Sequence, residues 1–411
     1  MNNHHEHGST FRHRTSVAVL AGITTGSLLL TGCATPAAPP SSAPAPSPAA
    51  VTTTAEARTP PATRARLTEA GRSVLRTGAT AFVGTLHSGR CETSVALGVA
   101  DRATDRRARV GHAFQMGSTT KTLTATVALQ LVGEGRLSLD DTVESWLPGV
   151  VPSGHRITVR MLLQHTSGLF DYTADETFTR ALLAEPRRSH TPQELLDVAL
   201  AHEPTFAPGE GWAYSNTGFV LVGMILAQVT GKDIGTLITQ RVIRPLGLRH
   251  TYWPDDTPFR GGHLHGYYRT EPGGSEYVDV SAFPVSWAGA AGALISTVGD
   301  LGIFQRALQS GELLEPVQLA QMRRTVEIPG TDGQYAYGLG LMRITTPTGY
   351  VWGHTGGTLG YLTQAWASQD GTRSLVENVP TGAATPTGPD STIEQAASAA
   401  ASSLFDTLTD P

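Results

Sequence analysis

The chain has 411 residues, 16% of them charged, and a formal net charge of −5. That length holds two to three domains or one large one. The sparse, slightly acidic charge excludes the basic face that a nucleic-acid binder needs. Two cysteines, Cys33 and Cys91, make neither a metal-binding spacing nor a disulfide framework, so no metal or other cofactor is expected.

Taken in chain order, Arg12, His13 and Arg14 precede an apolar stretch, Val17 to Thr31. It is too short for a comfortable membrane span and has the length of a signal-peptide core. It ends in Leu30-Thr31-Gly32-Cys33, which resembles the bacterial lipobox. The resemblance implies a lipoprotein signal peptide over residues 1–32 and a lipid on Cys33. Export and anchoring to the outer face of the cytoplasmic membrane follow from it. His4, His5 and His7 fall in the part to be removed. Residues 33–64 are rich in Pro, Ala, Ser and Thr, bury no core and read as a disordered tether. The body is expected over 65–411, as a monomer, with Cys91 a structural thiol.

Within the body, Leu67 to Thr77 reads as a helix. Ala81 to Leu86 and Ser94 to Val99 read as strands paired about Ser88-Gly89-Arg90. A helix opens at Ser118 and stops at Gly133 or Gly135. Thr158 to Gln164 is a short helix leading into His165, read as structural. Thr191 caps a helix that starts with Pro192 and runs to His202. Phe219 to Thr230 is an apolar core helix closed by Gly231. Trp287 to Ser296, rich in Gly and Ala, allows close backbone approach. Thr297 to Gln309 is a helix. Tyr337 to Ile344, Tyr350 to Trp352, Leu362 to Ala367 and Arg373 to Val379 are strands, the last two joined at Asp370-Gly371. Thr392 to Leu408 is a closing helix. The predicted fold class is α/β: an antiparallel sheet flanked by N- and C-terminal helices, with an inserted, mostly helical subdomain. Residues 65–112 and 285–411 form the α/β part and 113–284 the insertion.

The chemistry centres on Ser118-Thr119-Thr120-Lys121. A spacing of three on a helix puts both side chains on one face. A serine hydroxyl is a weak nucleophile until a base takes its proton. Lysine serves as that base only when neutral, and burial lowers its pKa. The chain has only two lysines, Lys121 and Lys232, in an arginine background. A guanidinium cannot give up its proton, so lysine is the residue that such a role requires. Tyr214 and Asn216, two apart at the mouth of a core helix, can point into one cleft.

Ser118-Thr119-Thr120-Lys121, Tyr214-Ser215-Asn216 and His354-Thr355-Gly356 resemble, in order and spacing, the three motifs of the serine penicillin-recognising enzymes. Within them the chain is similar to the class C β-lactamase and Streptomyces-type D-alanyl-D-alanine carboxypeptidase branch. His165-Thr166-Ser167-Gly168-Leu169 and Tyr337-Gly338-Leu339-Gly340-Leu341 extend the likeness over the body. The resemblance implies a β-lactamase/transpeptidase-like fold. Ser118 would form an acyl-enzyme, Lys121 would accept its proton and Tyr214 would relay protons. Asn216 would hold a substrate amide. The N–H groups of Ser118 and Gly357 would form an oxyanion hole. His354 and Thr355 would line the pocket for a terminal carboxylate, Gly356 and Gly357 would be further substrate-binding positions, and Trp287, Thr166 and Phe170 would wall the cleft. Arg343 is the candidate carboxylate-binding arginine, with Met342 as the other register.

The expected substrate is a peptidoglycan stem peptide ending in D-Ala-D-Ala, with β-lactams as acylating inhibitors that leave slowly. Three alternatives stand beside it: a class C-type β-lactamase, an esterase or D-amino-acid amidase or peptidase on the same fold, and a non-enzymatic wall-binding lipoprotein.

Overall fold

The computed structural model describes residues 61–255, 259–269, 276–380 and 391–409. The expected signal peptide, Cys33 and the expected tether up to residue 60 lie outside the described residues. The chain enters through helix α1 (Pro61–Leu75), then the hairpin β1 (Ala81–Ser88) and β2 (Cys91–Asp101), then β3 (Arg106–Arg107) and β4 (Phe114–Gln115). A 3-10 turn, Gly117–Thr119, runs into α2 (Thr120–Gly133). The helices α3 (Val143–Trp146), α4 (Val159–Gln164), α5 (Glu176–Ala184), α6 (Pro192–Leu200), α7 (Asn216–Thr230) and α8 (Ile234–Ile238) follow. Next come β5 (Tyr267–Arg269), β6 (Tyr277–Asp279), α9 (Gly289–Gly292), β7 (Ile295–Ser296), α10 (Val298–Gln309) and α11 (Pro316–Met322). The last third is β8 (Val326–Glu327), β9 (Tyr335–Tyr337), β10 (Met342–Thr346), β11 (Gly349–Thr358), β12 (Tyr361–Ser368), β13 (Arg373–Pro380), α12 (Ser391–Ser402) and α13 (Asp406–Thr409).

Nine strands form one antiparallel sheet in the order β3-β2-β1-β13-β12-β11-β10-β9-β8. The join between the first and last parts of the chain is β1 on β13, with Val83 opposite Asn378. Helices α1 and α12 cover one face, where Leu67, Val74, Phe82, Trp366, Leu375, Ile393 and Leu404 are buried. Helix α10 lies on the other, and its Leu301 and Phe304 join Val83, Ala365 and Val376 in the larger core shared with α2 and α7. These paired layers give the amphipathic strands two dry faces.

Helix α2 is packed on every side, and all its residues from Thr120 to Leu129 are buried. Its threonines are accommodated because their hydroxyls find backbone acceptors: Thr122 donates to the Gly340 carbonyl (2.8 Å) and Thr124 to that of Ala290 (2.8 Å). The site-bearing end of α2 is thus held from several directions. Local signals hold elsewhere: Thr191 and Glu194 make the reciprocal cap of α6, and Gly231 closes α7 in the left-handed region.

Several boundaries differ from the sequence expectation. The single strand expected over Tyr337 to Ile344 is instead the end of β9 and the start of β10, with the chain reversing at residues 338–341, where Gly340 is left-handed (φ 66°). Helix α1 begins at Pro61, four residues inside the expected tether, because Pro at a first turn and the alanine and arginine residues that follow all favour helix. The closing helix breaks between α12 and α13 at residues 403–405. Within the Gly- and Ala-rich stretch Trp287 to Ser296, residues 289–292 form α9, packed against α2 and α7.

Glu377 on β13 alternates with Leu375 and Val379, which places it on the α1/α12 face. Among the described residues neither of its buried carboxylate oxygens has a hydrogen-bond partner, and burial pushes its pKa up to about 8. The folded state therefore keeps a proton that the unfolded chain releases near pH 4.3. The group's contribution to stability is full below that pH and is lost as pH rises through about 8. Replacing Glu377→Gln should raise the melting temperature more at pH 8.5 than at pH 5. Equal shifts at both would show that the carboxyl is not held protonated.

Candidate active site

Ser118 lies in the 3-10 turn that precedes α2, half-exposed, while Lys121 one turn on is fully buried. Two glycines let this turn press onto β11. Gly117 has φ +55°, and a Cβ there would stand 2.7 Å from the Gly357 nitrogen. A Cβ on Gly356 would stand 2.1 Å from the Met116 carbonyl oxygen. Pairing with β10 ends at Met342 opposite Gly353, so from His354 onward that edge of β11 is open, and the Ser118 turn occupies it.

The second motif arrives at the N-terminus of α7. Ser215 takes the N-cap position in extended conformation, and Asn216 is the first helical residue. Its side chain turns inward rather than capping the helix. His165, left-handed at the end of α4 (φ 63°), holds this segment: its Nδ1 accepts the Ser215 N–H (3.2 Å). Its buried ring packs 4.3 Å from Tyr214 and 4.5 Å from Tyr337, between centroids. Burial keeps the imidazole neutral. His165 is thus the structural residue the sequence suggested.

Lys121 Nζ has three neighbours: Ser118 Oγ at 3.1 Å, Asn216 Oδ1 at 2.6 Å and the Ala291 carbonyl at 3.0 Å. The last two can only accept. A neutral amine has two N–H groups and one lone pair, so it donates to both and offers the lone pair to the Ser118 hydroxyl. Burial pulls its pKa down to about 7, against the opposite pull of the Asp171 carboxylate. Tyr214 completes the group by hydrogen-bonding Ser118, and its ring lies 4.8 Å below the Lys121 nitrogen. Burial drives the phenol pKa far up, so it keeps its proton.

Asp171 is a residue that sequence reasoning missed. Asn216 Nδ2 donates to its Oδ1 (3.2 Å), its Oδ2 (3.1 Å) and to Thr173 Oγ1 (3.1 Å). Thr173 returns its N–H (3.1 Å) and its hydroxyl (3.0 Å) to Asp171 Oδ1. The local signal was the Asp-x-Thr turn alone.

Two expected carboxylate ligands are corrected. His354 is only 1% exposed and both its nitrogens are engaged. Nδ1 faces the Thr355 carbonyl and so carries the proton, and Nε2 accepts from the Tyr337 hydroxyl at 2.8 Å. Burial, reinforced by Lys121, lowers its pKa to about 3, so it brings no positive charge. Arg343 pairs with Trp352 and leans its guanidinium over the Tyr350 ring, 4.6 Å from the centroid. Tyr350 is four residues before His354 along an extended strand, about 13 Å away. Met342, the other register, is an apolar residue packed on the α1/α12 core. The remaining wall residues have structural partners of their own. The Phe170 ring stacks on His202 at 3.9 Å, the Trp287 carbonyl accepts from Tyr172 Oη (2.7 Å), and the Thr166 carbonyl accepts from the Gly209 N–H (2.8 Å). Thr355 is half-buried, Gly356 buried and Gly357 exposed.

A serine with a buried lysine and a tyrosine, at the rim of an antiparallel sheet with helices on both faces, defines the β-lactamase/transpeptidase-like class of the serine hydrolases. The β-lactamase family model matches residues 61–382, and the chain belongs to that family. Penicillin-binding protein 4* of Bacillus subtilis is 27% identical over 292 residues, 68% of this chain and 63% of that one. The chain spans less than two thirds of the length of the first curated relatives it matches. A D-stereospecific amidohydrolase from Streptomyces sp. is 38% identical with a TM-score of 0.74, covering 81% of this chain and 98% of that one. The D-amino acid amidase of Ochrobactrum anthropi SV3 is 25% identical with a TM-score of 0.72, covering 84% and 99%.

Because Gly356 touches the backbone that carries Ser118, Gly356→Ala should leave a folded protein whose Ser118 is misplaced. A displacement of about 1 Å costs on the order of a hundredfold in rate. The rate of Ser118 acylation by an activated ester, with far-UV circular dichroism as the folding control, checks this; a wild-type rate would refute it.

Proposed function

We propose that the protein is a serine amidohydrolase that cleaves the amide or ester bond following a D-amino-acid residue, through an acyl-enzyme on Ser118, and prefers an uncharged leaving side. The observation that carries the preference is the third motif. Neither basic candidate there, buried neutral His354 or Arg343 stacked on Tyr350, offers a charge to a terminal carboxylate. The likeness to the Streptomyces amidohydrolase and to the Ochrobactrum amidase supports it.

In this reading the Ser118 hydroxyl gives its proton to the Lys121 lone pair as Oγ bonds the substrate carbonyl carbon. The negative oxygen so formed is met by the N–H groups of Ser118 and Gly357. On collapse the C–N bond breaks, and the leaving nitrogen takes a proton through the Tyr214 hydroxyl, which Lys121 replenishes. Water repeats the sequence on the acyl-enzyme and restores Ser118. Tyr214, protonated throughout the resting state, conveys protons, and Lys121 is the base.

A D-alanyl-D-alanine carboxypeptidase or transpeptidase acting on cell-wall peptides is the second reading, favoured by the order of the three motifs and by the penicillin-binding relatives. Both readings place the enzyme outside the cell, tied by a lipid on Cys33 to the cytoplasmic membrane; the Leu30-Thr31-Gly32-Cys33 sequence supports this.

A charge-assisted hydrogen bond contributes about 1.5–3 kcal/mol. A carboxylate desolvated in the cleft without that partner incurs a penalty of similar size, so kcat/KM on an acyl-D-Ala-D-Ala peptide should be about ten- to a hundredfold lower than on the same peptide ending in a carboxamide. The reverse order would install the carboxypeptidase. The pH profile is a separate check. With the Lys121 amine lowered to about 7, kcat/KM should rise with pH through that value and level off above it. A profile flat from pH 5 to 9 would remove Lys121 as the base.

A further inference from the structure

We propose that Asp171 is a positioning residue: by holding the Asn216 amide with its oxygen toward Lys121, it keeps the lysine lone pair aimed at Ser118. This rests on the acyl-enzyme reading above.

The amide of Asn216 has two orientations of nearly equal shape and opposite polarity. As it stands, Oδ1 accepts one Lys121 N–H at 2.6 Å, while Nδ2 faces three acceptors, Asp171 Oδ1, Asp171 Oδ2 and Thr173 Oγ1. Turned over, the amide would press an N–H against Lys121 and an oxygen against the carboxylate. The amine lone pair would then bond Asn216, and Ser118 would have no base. Burial raises the Asp171 pKa, opposed by the Thr173 N–H and hydroxyl, Lys121 and Asn216; as the carboxylate it only accepts, and so permits one orientation. Thr173 reinforces the choice, since both its N–H and its hydroxyl are already donated to Asp171. The carboxylate thus acts at one remove, through an amide, on the direction of a lone pair.

The other titratable groups facing Lys121 are uncharged: His165 on the α4 end, His354 on β11 and Tyr214 before α7. Asp171 is therefore the anion that favours the ammonium form of Lys121. Removing it should do two separable things, misorient the amide and lower the pH at which the amine becomes free.

The experiment uses the full chain, with the burst of p-nitrophenol released from p-nitrophenyl acetate, absent in Ser118→Ala, as a readout independent of the natural substrate. Asp171→Ala should lower the plateau acylation rate at least about tenfold, part of the 10²–10⁴ a general base contributes. Asp171→Asn retains an oxygen that accepts from Asn216 and should recover most of that loss. Both variants should show the ascending limb at lower pH than wild type. Thermal melts separate these effects from unfolding. A wild-type plateau and limb in Asp171→Ala would overturn the proposal. So would equal losses in both variants with an unmoved limb. A wild-type protein with no Ser118-dependent release of p-nitrophenol would instead refute the acyl-enzyme reading beneath it.

Discussion

A lysine buried to its last atom has to satisfy two N–H groups and still keep a lone pair free. Everything around Ser118 follows from that requirement. The Ala291 carbonyl takes one N–H and Asn216 Oδ1 the other. Water is excluded because α2 is enclosed on all sides, and the same enclosure lowers the cost of losing the charge. Had the amine been exposed it would stay an ammonium, and Ser118 would be an ordinary hydroxyl.

The sheet contributes position more than chemistry. Its strand β11 brings backbone, in the form of Gly356 and Gly357, against the turn bearing Ser118. The imidazole of His354 is consumed in holding that strand, with Tyr337 on one nitrogen and the Thr355 carbonyl near the other. A residue that by type suggests a cation serves as a neutral brace, and the site's polarity changes accordingly.

Much of this was legible in the chain. The Ser118–Lys121 spacing, the Tyr214–Asn216 pair and the last two strands about Asp370-Gly371 are local features, and local spacing survives into the fold. The errors share a cause. A motif or a register gives the positions of His354 and Arg343 but not their charge or direction: burial decides the first and the lean of a long side chain over Tyr350 the second. Asp171 was invisible because it is one of 35 acidic residues, and its meaning depends on Asn216, which arrives from a different helix. The first turn of α1 is hard to see in the chain because Pro61 and Ala62 continue the Pro- and Ala-rich composition of the residues before it, and the first large apolar residue is Leu67.

The pairing of β1 with β13 has a consequence for the life of the chain before it becomes an enzyme. The centre of the sheet is closed by a strand near the start and a strand near the end. The β3-β2-β1 and β12-to-β8 parts of the sheet meet only through β13, so they are joined only once Arg373–Pro380 has been made. Contacts of such long sequence separation form late and slowly. The same topology that fixes the site keeps the nascent polypeptide slack until its last strand is made.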